Sequence, residues 1–371
     1  MLREVRISRE RRVTVVEGYI PAKEQQRMEE AIRKMVPSVL YFRVAEIPRS
    51  ETAPTYIETR GLTKYLHSLT SLRGVPSYWE VNPTPFFTVL FVTMYGMMFG
   101  DVGQGLVLAL FGAWLLKTRF RLLGISEEGA TSLGALALLA GISGVVFGVL
   151  YGFVVFLKPL ARPVISPIHD VYEMIAVALC FGVAQLMLAL ALNVVNLVRA
   201  GDVLGAVFSG MGGMGILFYS SGVVIAYHLA TSGFNLGVLS APHLRPLIYL
   251  LLISLLTVVG YGLYEWKITG NSEKIMHATS EVIEMLLALP ANSLSYIRLA
   301  AFAMAHEAFS ILAENMSPMA GELAGYLLAN FLVFAIEALA VGIQAMRLLY
   351  YEFSTKFFRG EGIEFKPLFT R

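Results

Sequence analysis

The sequence predicts an all-α membrane protein of about eight transmembrane helices, the last two long and tilted, with a small α/β segment at the N-terminus. Three observations predict it. Hydrophobic residues make up 56% of the 371 and charged residues only 15%, and the mean hydropathy of +0.64 lies above the soluble range. Apolar runs of bilayer-crossing length recur from Phe86 onward. Charge is gathered at the front, where residues 1–80 hold 14 of the 29 Lys and Arg and 10 of the 27 acidic residues. The chain thus divides into a polar segment, 1–80, and a transmembrane body, 81–371.

In the first segment "RVTVVEGYIP" reads as a strand ending in a turn, "AKEQQRMEEAIRKMV" as an amphipathic helix and "SVLYFRVAEI" as a second strand. One strand-helix-strand unit has too little apolar surface to close a core of its own. No signal peptide is evident, because this region has no uncharged apolar run of the needed length, so the segment is expected in the cytoplasm. Residues 50–85, with Pro54, Pro76, Pro83 and Pro85, read as a connector along the membrane surface.

The apolar segments of the body are Phe86 to Phe99, Gly103 to Leu116, Ala130 to Leu157, Val171 to Val198, Val203 to Ala230, Leu247 to Trp266, Ser272 to Asn315 and Leu323 to Phe353. The first two are short and split only by "GDVG", which fits a tight helical hairpin or one long bent element. The last two exceed a perpendicular span, and such excess is absorbed by tilt or protrusion. Both termini are expected in the cytoplasm. Loop charges agree: Lys117, Arg119, Arg121, Arg199, Lys267, Lys274, Lys356, Arg359, Lys366 and Arg371 fall inside, and only Lys158, Arg162 and Arg245 outside. The last outer loop, "ENMSPMAGE", is acidic. The glycines of "SGMGGMGILFYSSG" lack the lysine of a phosphate loop and are read as helix packing. A net charge of +2 gives no argument for nucleic acid, and the single Cys180 excludes an intramolecular disulfide or a cysteine-rich metal site; no cofactor or metal is expected.

Charged side chains at mid-membrane cost about 2.5–3.5 kcal/mol each, so they are candidates for function. With Arg298 near the midplane, regular helix geometry puts Glu284 about 21 Å toward the cytoplasm and about 40° round the helix. It puts His306 about 12 Å toward the outside and about 80° round. On the last helix Glu337 lies about 15 Å outward of Arg347, with Gln344 on nearly the same face as Glu337. The structural alternatives are an Arg298–Glu337 ion pair, an inert hydrogen-bonded His306, a solvated Glu284 beside Glu281, and an Arg347 that snorkels to the headgroups near Glu352 and Lys356.

Four stretches carry a resemblance to a known family: "GVPSYWEVNPTPFFTVLFVTMYGMMFGDVGQG", "HATSEVIEMLLALPANSLSYIRLAAFAMAHEAFS", "IEALAVGIQAMRLLYYEFSTKFF" and "GEGIEFKPL". In order and spacing, from Gly74 to Pro367, they resemble the a/I subunit of the vacuolar-type and archaeal rotary ATPases. The resemblance implies a non-catalytic, ion-conducting membrane subunit with a ring-facing arginine at Arg298, a second arginine at Arg347, the motif histidine at His306 and intramembrane glutamates at Glu284 and Glu337. It implies as partners the proteolipid (c/K) ring, central- and peripheral-stalk subunits and membrane lipid, in a prokaryotic cell membrane. Gln104 departs from the aromatic usual in "GDxGxG", and the first 80 residues resemble only the membrane-proximal end of the family's long soluble arm. A self-contained secondary transporter is the other reading, but no internal repeat supports it; a plain membrane anchor would not need Arg298, His306 and Glu337.

Overall fold

Alternation of apolar and charged residues in "LREVRIS" and "VTVVEG" produces two strands, β1 (Leu2–Ser8) and β2 (Val13–Gly18), which pair antiparallel with Val5 opposite Val16. In this computed structural model the described residues are 2–8, 13–36, 41–47, 53–57, 67, 70, 73–118, 126–152, 154–156, 158–320 and 322–365. Helix α1 (Gln25–Met35) follows as expected, yet none of its residues is buried. The expected second strand is not formed: residues 41–47 have no strand geometry, and residues 38–40 lie outside the described set. The partner of β2 is instead Leu2–Ser8, whose period-two pattern is obscured by Arg3, Glu4 and Arg6.

Helix α2 (Thr84–Phe99) starts with Pro85 in its first turn, where the missing N–H costs nothing, and ends at Gly100. Asp101 opens α3 (Val102–Thr118) by accepting a hydrogen bond from the Gln104 N–H at 2.8 Å. The two are therefore separate helices broken at Gly100–Asp101, and each packs mainly on the helix that follows them. α3 returns against α4 (Glu127–Leu150) on a small-residue seam. A Cβ placed on Gly112 would sit 2.3 Å from the Leu138 nitrogen, and one on Gly141 2.4 Å from that of Ala109, so backbone meets backbone there.

After the turn at 151–170 come α5 (Val171–Ala200), α6 (Val203–Phe208), α7 (Gly213–Thr231) and α8 (Arg245–Thr269). The glycine run between α6 and α7 serves a sharp break as well as the expected packing, for a Cβ on Gly210 would lie 2.9 Å from Glu281 and Met285. The chain folds back so tightly that a Cβ on Gly215 would overlap the Gly210 carbonyl oxygen, and the Gly210 N–H donates to Glu281 Oε2 at 2.7 Å.

The C-terminal stretch comprises α9 (Glu273–Ile283), a π turn (Glu284–Ala288), α10 (Leu289–Ser295), α11 (Ile297–Ala320), α12 (Glu322–Arg347) and a second π turn (Leu348–Phe353). Helix thus continues through most of "ENMSPMAGE", expected as a loop, because falling hydropathy marks the edge of an apolar layer and not the end of hydrogen bonding. Among the described residues six stretches are long and apolar enough to cross a membrane: 129–150, 171–200, 203–231, 245–269, 273–309 and 330–356. Helices α2 and α3, with 16 and 17 residues, reach only about 24–26 Å against a hydrocarbon core of about 30 Å. The 37 residues of 273–309 would extend about 55 Å if straight.

Helix α2 occupies the centre, with Phe87, Met94, Met98 and Phe99 fully buried among Met174 and Leu190 of α5, Tyr296 and Leu299 beside it, and Val341 and Leu348. At one end the connector and the C-terminal tail are stitched together by parallel bridges, Thr55 with Glu364 and Val75 with Glu361. Gly74 (φ 133°) and Gly360 (φ 75°) allow the close approach, since a Cβ on Gly74 would collide with the Gly360 carbonyl. Arg73 donates to the Tyr350 carbonyl and the Ser354 hydroxyl at the end of the last helix. Burial lowers the pKa of its guanidinium, with Glu80 opposing.

Candidate functional site

Three groups of ionisable side chains lie along α9–α12. Nearest the connector and tail, Lys356 Nζ meets Glu284 Oε1 at 2.7 Å, the lysine side chain only 3% exposed and the glutamate 38%. Next, Arg298 Nη2 meets Glu352 Oε1 at 3.0 Å, at side-chain exposures of 25% and 6%. Arg298 Nε also donates to the Ser295 carbonyl at 3.0 Å, so the side chain folds back toward the connector end. Its Nη1 is buried without a hydrogen-bond partner. Toward the opposite end, His306 Nδ1 lies 2.7 Å from Glu337 Oε2 and His306 Nε2 3.7 Å from Asp101 Oδ2, all three residues buried.

Each group depends on local backbone. Both π turns fall on the connector side of the arginines: Glu284 begins the first, and Glu352 lies within the second. A π turn adds a residue without a full helical step, so it re-aims the side chains beyond it. The straight-helix angle between Glu284 and Arg298 therefore does not hold. Nor does their separation along one helix dictate their partners, because Glu352 and Lys356 are only four residues apart, and the back-folded guanidinium and the lysine stem supply the remaining reach. Asp101 is fixed by N–H donors from Gln104 (2.8 Å) and Phe156 (3.0 Å), and Gln104 Nε2 reaches Asn330 Oδ1 at 3.3 Å.

All six expected residues are in the described set, but their pairing differs from the simplest alternative. Arg298 does not pair with Glu337: Glu337 is taken by His306 and Arg298 by Glu352. Arg347 is exposed, within electrostatic reach of Glu352. Gln344 is half-buried with its Oε1 unpartnered. Four partners were not singled out from the sequence. Asp101 stood in plain view inside "GDVGQG", and Glu352 and Lys356 were read only as neighbours of Arg347. Glu307, beside His306, accepts from Ser166 Oγ at 3.0 Å and from the Ile168 N–H at 2.8 Å.

Around Arg298 the outer surface is small-residue and open: Ala291, Leu294, Ala301 and Ala308 are exposed and Ala305 half-exposed, at alternating spacings of three and four that keep one helix face. On α12 the corresponding outer face carries Ile336, Ala340, Ile343 and Arg347.

Comparison with known proteins places this arrangement. Residues 1–154 match the V-type ATPase 116kDa subunit family. The A-type ATP synthase subunit I of Pyrococcus horikoshii is 26% identical over 370 residues, covering 94% of this chain and 53% of the relative. That of Saccharolobus solfataricus is 25% identical, covering 95% and 60%. Over nearly its whole length the chain is similar to the a/I subunits of V- and A-type ATPases. A shorter match, 28% identical over 149 residues, is to the V-type proton ATPase 116 kDa subunit a 1 of Xenopus tropicalis, covering 37% of this chain and 17% of the relative. The chain spans about half the length of the archaeal relatives it matches. It is a multi-pass membrane protein.

Proposed function

We propose that this chain is the stationary ion-conducting subunit of a rotary V/A-type ATPase, with the ATP chemistry on other subunits. The observation that carries the reading is the position of Arg298: a partly exposed guanidinium beside a small-residue face, with one nitrogen buried and unpartnered, between two ionisable groups at opposite ends of the same helices. A guanidinium does not give up its proton in a protein, so Arg298 is a fixed charge and not a carrier. A carboxylate brought past it on a proteolipid ring is favoured in its ionised form, so it unloads on one side and reloads from the other. The same charge repels a proton crossing directly. Glu284 with Lys356 serves the cytoplasmic half-channel, and His306, Glu337 and Asp101 the outer one. Gln344 and Arg347 support the ring-facing surface. Proton or sodium transport is thereby coupled to ring rotation and to ATP hydrolysis or synthesis. Stalk subunits and lipid complete the set of partners, and both termini lie in the cytoplasm of a prokaryotic cell.

The test is Arg298→Ala in the assembled complex, reconstituted in vesicles. ATP-linked ion transport is lost with assembly intact, Arg298→Lys rescues poorly because an ammonium can deprotonate when buried, and Arg347→Ala is milder. Normal coupled transport by the assembled Arg298→Ala complex refutes the reading.

A further inference from the structure

Glu307 follows His306 in α11 and so points about 100° away from it round the helix. His306 turns into the buried group with Glu337 and Asp101, whereas Glu307 meets the turn before α5. Its carboxylate accepts from Ser166 Oγ (3.0 and 3.3 Å) and from the Ile168 N–H (2.8 Å), and His169 Nδ1 lies 3.8 Å away. Asp170 holds that turn from within, accepting from the Ser166 N–H at 3.0 Å. The Glu307 side chain is 29% exposed, against 5% for His306. Between them lies a cavity of about 30 Å³, lined by both residues and by Gly100, Tyr151, Pro167 and Ala303. At about 10–15 Å³ per water it takes about two or three. His306 Nε2 is buried without a hydrogen-bond partner.

We propose that Glu307 is the proton-collecting group at the outer mouth of the path. It takes a proton from outer water and passes it through the cavity water to the His306 imidazole, and its carboxylate is then reprotonated from outside; transport in the opposite direction reverses each transfer. The inference rests on the ring-coupled reading above. It assigns Glu307 a role distinct from that of a latch on the 166–170 turn, although the same hydrogen bonds hold the carboxylate at the mouth.

The test compares Glu307→Gln, Glu307→Asp and Ser166→Ala in the assembled complex in vesicles, with proton flux measured at low and high concentrations of a membrane-impermeant sulfonate buffer on the outer side. Glu307→Gln keeps an oxygen acceptor for the turn but cannot carry a proton. It is expected to slow flux at least about tenfold in dilute buffer and to recover several-fold in concentrated buffer, which replaces the lost collector. Glu307→Asp, which keeps a titratable carboxylate, recovers most of the flux lost in Glu307→Gln, and Ser166→Ala, which removes one hydrogen bond to that carboxylate, lowers flux less than Glu307→Gln and without its dependence on buffer. Should Glu307→Gln fail to assemble, Glu307→Ser, which leaves room for water, is expected to show the same buffer dependence. A normal flux in the Gln or Ser variant, or a loss that ignores buffer, overturns the proposal. Arg298→Ala measured alongside separates the two failures: if it still pumps, the ring-coupled reading falls, and if it alone is dead, only the role of Glu307 falls.

Discussion

Removing Glu352 would leave the Arg298 guanidinium with one protein partner, the Ser295 carbonyl. Breaking a buried ion pair from one side costs about 3–5 kcal/mol, because a desolvated charge is left behind. Arg298 is 25% exposed, so solvent recovers part of that, and Glu352→Leu is expected to cost about 2 kcal/mol. The opposite single change, Arg298→Met, strands a carboxylate that is only 6% exposed and is expected to cost about 3 kcal/mol, eased by the nearby Arg347. Replacing both partners by apolar groups of similar volume removes the buried charges together, and the double variant is expected within about 1 kcal/mol of the starting protein. The coupling is then several kcal/mol and of the sign that marks a mutually dependent pair. Reversible denaturation in mixed micelles containing sodium dodecyl sulfate, applied to all four members of the cycle, measures it. Additive penalties, with the double variant as unstable as the sum of the singles, would show that Glu352 does not hold Arg298 and would refute the account of how the arginine is positioned.

Three further outcomes are expected. Gly112→Leu forces a side chain into the backbone of α4, where even a Cβ stands 2.3 Å from the Leu138 nitrogen; it should cost at least about 1–3 kcal/mol and reduce the yield of folded protein, read by monodispersity in detergent. Residues 1–80 expressed alone should show no cooperative thermal unfolding and a poorly dispersed amide spectrum, because α1 buries no residue and Val15 and Val16 stand exposed on the hairpin. In a Cys180→Ser background, cysteine at 284 should react with an impermeant charged thiol reagent only from the cytoplasmic side and cysteine at 337 only from the outer side; labelling of both from one side would mean a single continuous pore.

The helical body was legible in the sequence because its signal is bulk hydropathy, which survives any local irregularity. The hairpin β1–β2 was half legible: the β-branched run Val13–Val16 marks one strand plainly, whereas Arg3, Glu4 and Arg6 hide the apolar pattern of its partner. The break between α6 and α7 was missed for a different reason. Glycines on an apolar helix serve close packing and chain reversal equally well, and what distinguishes the two here is a remote acceptor, Glu281, which caps the Gly210 N–H from another helix.

The site itself was legible by residue type and illegible by pairing. An arginine, a histidine and several glutamates in apolar surroundings are costly enough to be noticed one by one. Their partners depend on helix phase, and phase is what the two π turns alter. Sequence gives no direct mark of a π turn, since "EMLLA" and "LLYYEF" are ordinary helix-compatible strings. Once the turns are present, Glu352 comes to Arg298 and Lys356 to Glu284, which leaves Glu337 to His306. Each of these three acids then has a basic partner within the chain, and Arg298 keeps one further nitrogen, Nη1, buried without a partner. A carboxylate approaching Arg298 from the small-residue face would therefore have to compete with Glu352 for the guanidinium, because the spare donor is buried. Binding of such a carboxylate requires the guanidinium to turn at least partly away from Glu352, which makes Glu352 a restraint on how tightly the arginine could hold it.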